Sequence, residues 1–203
     1  MCPKIVQKYI ERPYLLRFGE NDNRKFDIRQ WVFVNSFDPL DVYIYRKAYL
    51  RICAQNYDVD QFSDLTRHIS NYSINKEAEL TMSTDQFEEY LENRDVRNAG
   101  KKWDSFFLPK ITDIIRTTLR QMADQAIENR PNSFELYGFD FVLDKDLNPW
   151  MIEANMSPAC AERKDWLVEM LDDMGNGVVN LIEAKVKFNR MISRHTFEVQ
   201  NAN

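Results

Sequence analysis

The stretch Phe134–Asn155, FELYGFDFVLDKDLNPWMIEAN, carries two acids and an amide at hairpin spacing. Aromatic and branched residues alternate up to Leu143, the polar DKDLNP follows as a turn, and a second apolar run begins at Trp150. A turn centred between Asp146 and Leu147 puts Asp140 opposite Glu153, with Cβ atoms about 5 Å apart. Two carboxylates so placed repel. Asn155, two residues beyond Glu153 on the same face, adds a neutral oxygen, and the trio offers the hard oxygen ligands that magnesium prefers. The solvated face of an edge hairpin would carry the same pattern.

A second hairpin offers the opposite charge. In RKFDIRQWVFV, residues Lys25, Asp27 and Arg29 share one face, while Phe26, Ile28, Val32 and Val34 mark the other as core. Phe37-Asp38-Pro39 is a turn signal and VYIYR the return strand. A turn centred between Phe37 and Asp38 pairs Arg29 with Arg46, and two guanidinium groups side by side require an anion. Arginine suits phosphate or carboxylate through its planar fork of donors, and Asp27 can accept from a sugar hydroxyl or orient a neighbouring base. A surface strand of alternating charge reads the same way in isolation. One hairpin for a divalent cation beside one for anions describes a metal-nucleotide site.

The remaining elements must hold these hairpins. KIVQKYI near the start reads as a short strand, with almost nothing before it to cover its faces. Residues 53–80 are polar and aperiodic, as in a long functional loop. Thr84 caps a helix with Phe87, Tyr90 and Leu91 on one stripe, and a longer helix follows Pro109 with Ile111, Ile114, Ile115, Leu119 and Met122 at helical spacing. A third helix from about Glu162 presents Trp166, Met170 and Leu171 until Gly175-Asn176-Gly177 stops it, and VVNLIEAKV forms a last helix.

At 203 residues and 44% hydrophobic content, the chain can bury a core and reads as one domain or a large part of one. A net charge of -5 and the absence of a polybasic run argue against a nucleic-acid partner. Cys2, Cys53 and Cys160 are odd in number and far apart, which fits a reducing compartment better than a disulfide framework. No apolar run reaches membrane-spanning length and MCPKIVQKYIERP has no signal-peptide core, so the expected location is the cytosol, with no membrane partner. No GxGxxG or GxxxxGK loop occurs among the five glycines. His68 and His195 lack partners at zinc spacing, which leaves His68 as a hydrogen-bonded loop histidine.

The motifs VQKYIERPYLL, KFDIRQWVFV, PLDVYIYRKAYLR, HISNYSINK, FELYGFDFVLDKDLNPWMIEANMSPACA and VVNLI, in this order, resemble the tubulin tyrosine ligase-like family over most of the chain. RQW after KFDI, the PLDVYIYRKAYLR strand, MSTDQFEEYL and FELYG look most like the family's glycine ligases, whereas PACA is closer to its tyrosine ligase branch. The resemblance implies an α+β, ATP-grasp-like fold over residues 1–203, corresponding to the C-terminal part of the catalytic domain. The family's N-terminal domain and a lid with a phosphate-contacting lysine are expected upstream of it.

By motif, Gln7, Lys8, Tyr9 and Ile10 match the hinge that holds adenine, and Lys25 and Asp27 match nucleotide contacts. Arg29 and Arg46 match the arginines near the phosphates and the reacting carboxylate. Asp140, Glu153 and Asn155 match the magnesium ligands. Ser70, before Asn71, stands where the family usually has Thr or Cys and keeps the hydroxyl of the former. The implied cofactors are ATP and Mg2+. The implied reaction joins an amino acid, glycine first, to glutamate side chains of tubulin or a similar acidic protein, in the cytoplasm and cytoskeleton, including the cilium or flagellum axoneme. A glutamate ligase and a catalytically dead tubulin-binding module are the competing implications. The net charge of -5 gives no support for the basic surface the family uses against acidic tubulin.

Overall fold

The computed structural model describes residues 5–71, 80–95, 97–124, 130, 133–158, 160 and 164–200, with the side chains of the last helix described through Lys187. Contacts divide the chain into two compact units, residues 1–158 and 159–203. The first holds a five-stranded antiparallel sheet, a short two-stranded one and the helices that cover one sheet face; the second, among its described residues, holds a single helix.

In chain order the small sheet pairs β1 (Leu16–Gly19) with β2 (Asp22–Arg24). The large sheet is built from β3 (Phe26–Phe37), β4 (Leu40–Ile52), β5 (Leu80–Ser83), β6 (Glu135–Leu143) and β7 (Pro149–Met156), in the order β5-β4-β3-β6-β7. Alternation does its expected work here. Phe26, Ile28, Leu50, Ile52, Phe139 and Phe141 are buried in one core, together with apolar residues of α2 (Thr84–Arg94) and α3 (Leu108–Ala123). The stripes anticipated on these two helices are the buried ones: Phe87 and Leu91, then Ile111, Ile115 and Leu119.

Three local expectations are corrected, and one element is added. Residues 5–10 are not a strand, and Ile5 and Val6 are exposed; β-branched residues favour a strand only where a ladder accepts them. The cap of α2 is Ser83 rather than Thr84. Its hydroxyl accepts from Gln86 N and Gln86 Oε1 accepts from Ser83 N, a reciprocal capping box. A π turn, Trp103–Phe107, precedes α3. Finally, α4 (Asp165–Gln200) runs without a break through Gly175-Asn176-Gly177. Each helical glycine costs about 1 kcal/mol relative to alanine, too little to stop a helix whose apolar positions 170, 171, 174, 178, 181 and 182 stay in helical phase. Glu162, the expected start, lies outside the described residues. No helix among the described residues is long and apolar enough to cross a membrane.

The β3–β4 hairpin departs most from a simple alternation. Its turn joins Phe37 to Leu40 through a cis Asp38-Pro39 bond, and the register shifts twice on the way inward. Between the Gln30–Ala48 and Val32–Ile44 pairs, three residues of β4 (Tyr45, Arg46 and Lys47) face the single Trp31. Such a bulge frees backbone carbonyls. The buried Gln30 supplies them: its Nε2 donates to Tyr45 O at 2.6 Å and to Lys47 O at 3.4 Å. Trp103 Nε1 donates to Arg46 O at 2.8 Å. Arg29 is therefore opposite Tyr49, not Arg46 as the unbroken register required.

Gln30→Met keeps the volume and removes the donor. It is expected to lower stability by about 1–3 kcal/mol, the penalty of a buried carbonyl left unpaired, in urea unfolding; a variant as stable as the parent would refute this role.

Candidate functional site

Antiparallel pairing lines up one row of side chains across all five strands: Ser83, Tyr49, Arg29, Asp140 and Glu153. Two residues along β3 and β4, the pair Asp27 opposite Arg51 lies on the same face, as do Gly138 and its partner Asn155 two residues along β6 and β7 in the other direction. Asp140 thus faces Glu153, as the hairpin spacing predicts, although by a different route. The turn is centred one half-step earlier, with Leu143 opposite Pro149, and a one-residue bulge before Asp140 restores the pairing.

Asp140 is only 2% exposed. Arg29 Nε donates to its Oδ1 at 2.6 Å and Arg29 Nη2 to its Oδ2 at 3.1 Å, a bidentate pair. Arg51 Nη2 lies 2.9 Å from the same Oδ2 and also holds Asp27, through Nε–Oδ1 at 2.7 Å and Nη2–Oδ2 at 2.5 Å. Burial disfavours the Arg51 charge, but Asp27 and then Asp140 outweigh it and raise the guanidinium above its ordinary pKa. Asn155 Nδ2 donates to Asp140 Oδ2 at 3.2 Å and to Glu153 Oε1 at 2.9 Å.

Glu153 differs from the other two acids in that it is exposed and, among the described residues, has no arginine ion pair. No three side chains of the His, Cys, Asp and Glu types converge on a metal position among the described residues. The candidate ligand set is two acids and a carboxamide. Asn155 turns its amide nitrogen toward both acids, and rotating that amide by half a turn presents an oxygen with the same shape. The donor chemistry, oxygen throughout, fits a hard divalent cation such as magnesium.

Beside this row opens a cleft of about 640 Å³. Lys25, Asp27, Arg51, Asp140 and Glu153 line its charged side; Ile10, Phe62, Leu65, Val142, Met151, Ile152 and the 55% exposed Trp150 line its apolar side. Gln7, Lys8, Tyr9, His68, Ser70 and Asn71 complete the wall. Burial lowers the Lys25 ammonium pKa, against the nearby Cys53 and Asp27. Burial also pushes the Cys53 thiol up to about 12, so it is a packed side chain rather than a nucleophile.

All the expected hinge and nucleotide residues thus line one cleft, with Asp140 and Glu153 among them, and Arg29 and Asn155 hold Asp140. Arg46 is the exception. The β4 bulge turns its side chain outward, 77% exposed, where it pairs with Asp104 at 2.5 Å. Tyr49 stands opposite Arg29 where the hairpin spacing predicts Arg46, and Arg51, five residues after Arg46 and opposite Asp27, is the second guanidinium at Asp140. Its signal was the odd-position pattern Tyr49, Arg51 against the apolar Leu50, Ile52 at the inner end of β4. His68 makes the expected hydrogen bonds, but from the end of a short helix rather than from a loop; the side chain of His195 lies outside those described.

Gly138 lies between Arg29 and Pro158, two residues beyond β7. A Cβ there would stand 2.7 Å from Pro158 Cβ, closer than van der Waals contact allows, and 3.0 Å from Arg29 Cδ, a tight contact that the arginine would have to relieve. The missing side chain is the space through which Arg29 reaches across to Asp140.

The sequence matches the tubulin-tyrosine ligase family over residues 2–192. Tubulin glycylase 3E of Tetrahymena thermophila is 41% identical over 192 residues, covering 90% of this chain and 13% of the relative. Protein monoglycylase TTLL8 of Mus musculus is 37% identical over 167 residues, 76% of this chain and 19% of the relative. Tubulin monoglycylase TTLL3 of Homo sapiens is 37% identical over 169 residues, 77% of this chain and 21% of the relative. The chain therefore spans 13–21% of the length of these relatives.

Gly138→Ala is expected to destabilise the fold by about 1–3 kcal/mol, the usual range for an overpacked interior position, measured by thermal unfolding. An unchanged midpoint would show that Arg29 and Pro158 yield freely.

Proposed function

Because this chain belongs to the tubulin-tyrosine ligase family, with its ATP-grasp-like fold, we propose that its cleft binds ATP with magnesium. We further propose that the protein joins glycine to glutamate side chains of tubulin or a similar acidic protein. The observation that carries this reading is the polarity of the cleft. One side is apolar and suited to a base, and the other carries Lys25, Asp27, Arg51, Asp140 and Glu153, four of them on neighbouring positions of one sheet face. The glycylase names of the relatives support glycine as the amino acid.

In this mechanism a glutamate carboxylate of the acceptor attacks the γ-phosphorus of ATP and ADP leaves. The amino-acid nitrogen then attacks the acyl carbon, loses a proton and expels phosphate, leaving an isopeptide bond. No protein nucleophile is needed; catalysis rests on positioning and charge. Asp140, Glu153 and Asn155 are the residues that would hold magnesium. When bound, the ion supplies neutralisation of phosphate charge. Asp27 holds the Arg51 fork in place at the cleft wall, so this guanidinium meets developing negative charge without having to be ordered during the reaction, while the buried Arg29 fixes Asp140. The proposed place of work is the cytoplasm and its cytoskeleton, including cilium or flagellum.

Glu153→Gln, which keeps shape and removes charge, is expected to lower ligation by on the order of 10²-fold or more while leaving the fold intact. Arg51→Lys, which keeps charge and loses the fork, should impair turnover. Arg46→Lys should leave it unchanged, because Arg46 points away from the cleft. Labelled glycine and glutamate offered together to tubulin should give preferential glycine incorporation; equal or higher glutamate incorporation would overturn the glycine assignment. Full activity in Glu153→Gln would remove the metal role.

A further inference from the structure

Residues 7–10 form one wall of the cleft but belong to no sheet. Downstream, Tyr14 N donates to Leu143 O at 2.8 Å and Lys145 N to Arg12 O at 2.9 Å, which ties residues 12–14 to the end of β6. Upstream of that tie the wall depends on side chains. Tyr9 is the central one. Its hydroxyl lies 2.8 Å from His68 Nδ1 and accepts from Lys25 Nζ at 3.0 Å, and Lys25 Nζ also donates to His68 O at 3.1 Å. His68, the last residue of α1 (Leu65–His68), places Nε2 3.1 Å from Gln61 O.

With the His68 ring neutral, chemistry fixes the direction of each of these bonds. A carbonyl only accepts, so Nε2 carries the proton and donates to Gln61 O. In the neutral ring Nδ1 is then the acceptor, and Tyr9 must donate to it. An ammonium only donates, so the Tyr9 oxygen accepts from Lys25. Burial raises the Tyr9 phenol pKa above its ordinary value, with Tyr57 next in effect, so the phenol keeps the proton it must give. The ring of Phe62 stacks on His68 at 5.4 Å and 21°, and Tyr57 meets His68 edge-on at 5.5 Å. Tyr57 in turn donates to Glu11 O at 2.8 Å, beside the wall itself.

We propose that His68 is a positioning residue for nucleotide binding: through the Tyr9 hydroxyl it holds the 7–10 wall and the Lys25 ammonium in the geometry that receives the nucleotide. This rests on the ATP reading above and adds to it a residue that acts through another. A neutral histidine in the Nε2–H form suits the role because it joins an acceptor, facing Tyr9, to a donor, facing the loop carbonyl, on one rigid ring.

The test is Mg-ATP calorimetry together with steady-state kinetics. His68→Phe keeps the stacking on Phe62 and removes both ring nitrogens; its ATP Kd and ATP KM should rise about tenfold, the loss of one well-placed hydrogen bond. kcat and the KM for the amino acid should stay at parent values. Tyr9→Phe should give a similar rise, and the double variant should be no weaker than either single one, because both remove the same link. His68→Asn, which returns an acceptor near Nδ1, should recover most of the affinity. Thermal unfolding establishes that each variant is folded. Unchanged ATP affinity in folded His68→Phe, additive losses in the double variant, or a parallel rise in the amino-acid KM would each overturn the assignment of His68. A parent protein that binds no ATP would instead overturn the nucleotide reading beneath it.

Discussion

A buried carboxylate organises this sheet. Stripping water from Asp140 without compensation would cost several kcal/mol, and the surrounding strands exist in the one register that avoids it. β3 delivers Arg29 from one side, β4 reaches past β3 with Arg51, and β7 adds the amide of Asn155. Each helper has its own requirement. Arg51 needs Asp27, and Arg29 needs the gap left by Gly138. Shifting any strand by one residue would leave a charge unpaired in the interior, so electrostatics and the apolar core specify the same pairing.

The two faces of the sheet divide the labour. On the helix side, Phe26, Ile28, Leu50, Phe139 and Phe141 pack with α2 and α3 and make the strands stiff. On the other side the same strands present charge. Because the arginines are held by Asp27 and Asp140 before any ligand arrives, their fields are already oriented, which is where an enzyme gains most from electrostatics. Glu153, exposed on the outermost strand β7, is the adaptable member of the row, whereas Asp140 on the interior strand β6 is fixed.

Much of this was legible in the residues. The Asp140–Glu153 pairing follows from alternation and a polar turn, though two one-step deviations, an earlier turn centre and a bulge, cancel to give it. The stripes of α2 and α3 are direct consequences of helical period. The alternation at the inner end of β4 marks the face of Arg51, but not its register against Arg29, because a period-two pattern carries no mark of the bulge; the buried Gln30 and the distant Trp103, which satisfy the bulge carbonyls, are recognisable as such only once the fold is known. The continuity of α4 follows from the apolar phase on either side of its two glycines, which outweighs their helix-breaking tendency. That residues 7–10 line the cleft was legible only from family resemblance, since they belong to no ladder and the bonds that hold them come from His68, Lys25 and Tyr57 far along the chain.

The bulge at Tyr45–Lys47 also bears on how such a chain can change over generations. Sides of a strand alternate, so deleting one residue between the bulge and Ile52 would exchange Tyr49 and Arg51 with Leu50 and Ile52, sending a guanidinium into the hydrocarbon layer. Length changes at the Phe37–Leu40 tip meet a different fate. The spare residues opposite Trp31 form a slack joint that can take up a step before it reaches Arg29. The outer half of this hairpin is thereby free to drift in length and shape, while the inner half is held to an unvarying count.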